Sequence, residues 1–136
     1  MSWLFGNKSG GGKRKQPEHA KIAEQLWQTH EGENPVSLLA KTDFIGASQG
    51  FMELAKDEFA THGDKLKFRS DATTCMAIAY GGELSDPRRK EVDTSAAKTL
   101  PSKELKTYNQ LKQTLREHEK RGMAIHTIQK SYGIVK

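Results

Sequence analysis

The side chains best suited to chemistry gather in one stretch, Cys75-Met76-Ala77-Ile78-Ala79-Tyr80-Gly81-Gly82-Glu83-Leu84-Ser85-Asp86-Pro87-Arg88-Arg89-Lys90-Glu91-Val92. A helix of small apolar residues runs into a Gly-Gly turn, an acidic loop follows, and Ser85-Asp86-Pro87 opens another helix. Carboxylates in a tight turn beside free backbone amides suit two tasks. One is to hold a hard divalent cation, calcium or magnesium, through Glu83, Asp86 and Glu91, with Asp64 or Asp71 completing the oxygen set where folding brings them near. The other is to cap the new helix, with Ser85 and Asp86 satisfying its free amides and favouring its dipole. The EF-hand pattern of alternating aspartates ahead of a glycine is absent.

Other reactive types lack the spacing that chemistry needs. Cys75 is the sole cysteine and sits on an apolar helical face, which fits a buried small hydrophobe and excludes an internal disulfide or thiolate zinc cluster. The histidines at 19, 30, 62, 118 and 126 show no metal-ligand spacing, and no nucleophile elbow appears. Gly10-Gly11-Gly12-Lys13 is not a phosphate loop, because Asn7 stands at the earlier glycine position and Arg14 where Ser or Thr would hold magnesium. The residues therefore point to a non-enzymatic binding protein. Basic side chains form the remaining candidate set: Lys13, Arg14 and Lys15 near the N-terminus, and Lys112, Arg116, Lys120 and Arg121 (with Lys106) away from Leu111 and Leu115 on a C-terminal helix. They are expected either to meet the phosphates of a nucleic acid or to form an ordinary solvated face. Trp27, Tyr80, Tyr108 and Tyr132 lie in or beside apolar stripes, where packing accounts for them better than base stacking.

Charge divides along the chain. Residues 1–15 carry four basic side chains and no acid, residues 16–97 carry nine basic and fourteen acidic ones, and residues 98–136 carry nine and three. The overall +5 thus describes an acidic middle between basic ends. With 136 residues, 35% of them apolar, the chain fits one domain with a modest core. No apolar run is long enough for a membrane span, and Trp3-Leu4-Phe5 is too short for a signal peptide, so a cytoplasmic location is expected.

The elements that must position these groups read as helices. Residues 1–16 read as a flexible, basic N-terminal segment, and 17–136 as an all-helical domain. Pro17 starts a first helix with Ile22, Ala23, Leu26 and Trp27 in register; Asn34-Pro35 caps a short second one. The periodicity predicts a third helix from Asp43 to His62, with Phe44, Ala47, Phe51, Leu54 and Phe59 in its stripe and Gly63 stopping it. Gly46 and Gly50 on it invite close approach of a neighbour. Leu66, Phe68, Ala72, Cys75, Met76 and Ala79 line a fourth, ended by Gly81-Gly82, and a fifth covers 86–99. Ser102 caps a sixth, which would reach about 45 Å if continued to 132, so a break is expected near Gly122. No period-two alternation beside hairpin turns occurs, and the fold class is an all-α compact bundle of six or seven short helices.

Cys75, Ala77, Ile78, Ala79, Gly82, Glu83, Leu84, Ser85, Asp86, Arg89 and Lys90 together resemble the TerB-like family of tellurite-resistance and stress-associated helical proteins. That family repeats a small-residue helix, an acid-Gly-Glu turn, a Ser-acid cap and a charged helix. Gly81 stands where the family usually has an acid, Arg88 where a glutamate is common, and Gly63-Asp64 is only a poor echo of a second turn. The resemblance implies a compact helical domain, metal-binding in some form, that acts through protein partners in a stress or defence setting. The alternative is a phage- or plasmid-type accessory protein that binds nucleic acid through its basic ends.

Overall fold

The computed structural model describes residues 17–136, and the expectations for residues 1–16, Lys13, Arg14 and Lys15 among them, lie outside the described residues. Seven helices follow one another: α1 Glu18–Trp27, α2 Pro35–Ala40, α3 Phe44–Ala55, α4 His62–Gly81, α5 Asp86–Thr99, α6 Ser102–Thr114 and α7 His118–Ser131. No strand is present among the described residues.

Helix α4 is the axle of the bundle. Phe68, Ala72, Cys75, Met76, Ala77, Ile78 and Tyr80 are buried on more than one side of it, because α3, α5, α6 and α7 all pack against it. The most extensive seam joins α3 to α4, where Ala47 and Ser48 are fully buried and the Ser48 hydroxyl donates to the Ala72 carbonyl at 2.7 Å. Phe51 stacks between Phe68 of α4 (6.2 Å) and Tyr132, the residue closing α7 (5.1 Å), which joins α3, α4 and the end of α7 through one aromatic column. The Gln129 amide donates to the Leu39 carbonyl at the end of α2 (3.1 Å) and ties α7 there as well. Gly50 serves as the pattern suggests: a Cβ there would stand 2.7 Å from Cβ of Pro35, so α2 and α3 approach as closely as they do because position 50 has no side chain.

The long third helix does not form. α3 ends at Ala55, and the chain turns through 56–61 before α4 begins. Asp57 makes that turn: its carboxylate accepts the Phe59 amide (2.8 Å) and the His30 ring nitrogen (2.8 Å). Phe59 leaves the apolar stripe and is 77% exposed. Thr61 then caps α4 by accepting the Asp64 amide, and Gly63 lies inside the first turn instead of stopping a helix. Leu66, expected on the buried face, is 45% exposed. The later break also moves. It falls at Leu115–Glu117, between α6 and α7, and Gly122 sits within α7 with open space around it.

Candidate functional site

Three helix ends meet at the acidic corner. α4 stops at Gly81 and Gly82, leaving carbonyl groups that its own ladder cannot use. Arg89 answers two of them: Nε donates to the Tyr80 carbonyl (3.3 Å) and Nη2 to the Gly82 carbonyl (2.9 Å). Arg121 answers a third, with Nε donating to the Ile78 carbonyl (2.9 Å). Both guanidinium groups also lie over aromatic rings, Arg89 over Tyr80 and Arg121 over Phe44. Arg89 and Arg121 each stand in an early turn of their own helix, where a cation opposes the dipole. They are there because they serve the negative end of α4. This clamp was missed in the sequence, and its signal was that misplaced charge. Gly81 completes the joint, since a Cβ there would run into the Leu115 carbonyl group.

The carboxylates face away from this joint. Glu83 is exposed, and Asp86 is 92% exposed, with Oδ1 at 3.8 Å from Nη1 of Arg89. Glu91, more than a turn further along α5, pairs with Arg88 at 3.5 Å on the surface. Asp71 lies ten residues back along α4, about 15 Å from the corner. Asp64 lies further back and faces His19 at 3.5 Å. The expected metal set of Glu83, Asp86 and Glu91 is therefore corrected: among the described residues, no group of three or more His, Cys, Asp or Glu side chains is placed to hold a metal ion. The Ile78, Tyr80 and Gly82 carbonyl oxygens at the corner already accept hydrogen bonds from arginine. Ser85 occupies the cap position of α5 without a side-chain hydrogen bond, and Pro101 takes the cap position of α6 that Ser102 was expected to fill.

The basic candidates separate into two groups. Lys112 turns inward, 3.0 Å from Oδ1 of Asp93, with its ammonium over the rings of Tyr80 and Tyr108. Arg121 is engaged with α4 as described. Those two are corrected from an outward phosphate face to internal braces. Arg116 is exposed, and Lys120 is exposed beside Glu117 at 3.4 Å.

Two aspartate–tyrosine–lysine braces also went unforeseen. Asp71 accepts the Tyr132 hydroxyl (2.5 Å) and the Lys67 ammonium (2.9 Å), locking α7 to α4. Asp93 accepts the Tyr108 hydroxyl (2.5 Å) and Lys112, locking α6 to α5. Burial, then the neighbouring carboxylate, raises both phenols above their ordinary range, so each tyrosine stays a neutral donor. Cys75 is fully buried, and burial raises its thiol as well, with Asp71 adding to the effect; the thiolate that nucleophilic chemistry needs is disfavoured. Every buried side-chain nitrogen and oxygen among the described residues has a partner. No family model, curated protein or solved structure matches the chain.

Proposed function

We propose that the chain is a non-enzymatic helical binding protein of TerB-like character that meets a protein partner through the acidic corner, within the stress or defence setting that the resemblance implies. One observation carries this reading. Glu83 and Asp86 project into solvent from a turn whose backbone is clamped by Arg89, so two carboxylates are presented from a rigid mount. A preorganised acidic corner loses little conformational entropy on docking, and it complements a lysine- or arginine-bearing surface. This reading needs no divalent ion.

The reading is tested with a photo-crosslinking residue at exposed Ser85, inside the corner, and at exposed Gln25 on α1 as the control, in the cell that makes the protein. A discrete protein adduct forms from position 85 and not from position 25, and E83Q/D86N removes it. The same adducts from both positions, or an adduct indifferent to E83Q/D86N, would exclude the corner as the docking point.

A further inference from the structure

The fold sorts its basic residues. Arg89, Lys112 and Arg121 are drawn inward to carbonyl groups, a carboxylate and aromatic rings. Lys90, Lys98, Lys103 and Lys106 are left exposed on α5 and α6, and none of them enters an ion pair among the described residues. Lys90 and Lys98 sit two turns apart, about 12 Å along α5. With Glu91, Thr94 and Ser95 they line an open depression of about 390 Å³. Glu91 is turned toward Arg88. The short corner at Leu100-Pro101 brings Lys98, at the end of α5, to the same end of the hairpin as Lys103 in the first turn of α6.

We propose that the exposed lysines of the α5–α6 hairpin bind the sugar–phosphate backbone of a nucleic acid without reading base sequence. The site starts one helical turn past Asp86 of the acidic corner, and it keeps Lys103 and Lys106 of the expected basic stretch while leaving out Lys112 and Arg121, which turn inward. The kinds of residue between the lysines choose the partner. Asn109, Gln110 and Gln113 are exposed on α6, and amides of this kind, with lysine, make the usual contacts to phosphate and sugar. The hairpin exposes no large apolar side chain; Phe59, Leu66 and Met123, the exposed ones among the described residues, all lie on other elements. Binding to a membrane surface is strengthened by an apolar face that enters the lipid, and a tight protein interface by aromatic residues at its centre. A phosphate backbone needs neither.

The test uses the full chain and fluorescence anisotropy of a labelled mixed-sequence 30-mer, single-stranded and duplex, at 50 and 200 mM salt. Four phosphate contacts imply a log–log salt slope near −3.6 on duplex, hence about a hundredfold weaker binding at the higher salt. K90A/K98A/K103A/K106A flattens that slope by about 3 to 4, whereas K56A/K130A, two exposed cations on other elements, leaves it unchanged. E83Q/D86N also leaves it unchanged, which keeps the outcome independent of the corner reading. Circular dichroism of the quadruple variant verifies the fold, and K98E/K103E gives a second variant should that one misfold. No binding at 50 mM, or binding indifferent to the hairpin substitutions, would overturn the proposal. So would equal displacement by polyglutamate, which would mark an acidic protein as partner, or tighter binding to phosphatidylserine vesicles than to the oligonucleotide.

Discussion

At the scale of single residues, several polar side chains act as ties between elements distant in sequence. His30 and Asp57 are the simplest case: a ring nitrogen 2.8 Å from a carboxylate joins the segment after α1 to the turn after α3. Trp27 stacks on the same ring at 4.8 Å and donates to the Gly32 carbonyl, which fixes the loop around it. The hydrogen bond from His30 and then that from the Phe59 amide hold the Asp57 carboxyl below its ordinary 3.8. A carboxyl with a lower pKa folded than unfolded binds fewer protons in the folded state. Its contribution is therefore present above pH 3.8 and is lost as pH falls through the lower folded value. Urea unfolding between pH 6 and pH 3 checks this. The native chain loses stability across the acid end of the range, and D57N loses less, because its side chain has no proton to take up. Equal slopes for the two proteins would remove Asp57 from the account.

At the scale of elements, the joint at the end of α4 shows what helix ends demand of each other. Gly81 lies against the Leu115 carbonyl group, so position 81 has no room for any side chain. Replacing a helical glycine by alanine ordinarily gains up to about 1 kcal/mol. Here the added methyl meets backbone, which cannot rotate away, and overpacking of that kind costs about 1–3 kcal/mol. G81A is thus destabilising. G82A is less so, since its methyl meets the Arg121 side chain at 3.0 Å and backbone only at an ordinary contact distance, the Ala79 oxygen at 3.5 Å. Shifts in the urea midpoint rank the two; a G81A midpoint at or above the native one would reject the packing argument. The same joint explains how far the sequence could be read. Asn34-Pro35 and Ser85-Asp86-Pro87 announce helix starts through local rules, and α2 and α5 begin there. The apolar spacing through Phe59 continues past Ala55, yet α3 stops, because Asp57 binds His30, 27 residues away. Thr61-His62-Gly63-Asp64 did carry a capping signal for α4 that the apolar stripe obscured. The outward placement of Glu83 and Asp86 followed from the Gly-Gly corner. That Arg89 and Arg121 would turn inward depended on where α4, α5 and α7 end in space, which no local pattern encodes.

At the scale of the whole molecule, charge and burial are both divided by α4. Residues 17–87 carry six basic and twelve acidic side chains, and residues 88–136 carry twelve and five. The acidic corner, the first proposed surface, marks the boundary along the chain, and the lysines of the second follow it on α5 and α6. A domain with opposite charge in its two halves can hold a cationic protein and a polyanion at once, with each surface repelling the other's ligand. Burial is just as uneven. α4 is covered by α3, α5, α6 and α7, whereas α1 buries only Ala20 and Ala23, with Ile22, Leu26 and Trp27 partly covered. Among its polar attachments, His19 to Asp64 and His30 to Asp57 lie toward its two ends. An element with so little apolar area can open while the rest stays folded, since the free energy of local opening scales with the apolar surface that opening exposes to water. Hydrogen exchange therefore separates the two. Amides from Phe68 to Ile78 exchange only on global unfolding and slow in step with overall stability. Those of α1 exchange faster, and they accelerate further in H30A while the α4 amides track only the global change. Protection of α1 equal to that of α4 would reject the argument that its small buried apolar area sets its opening.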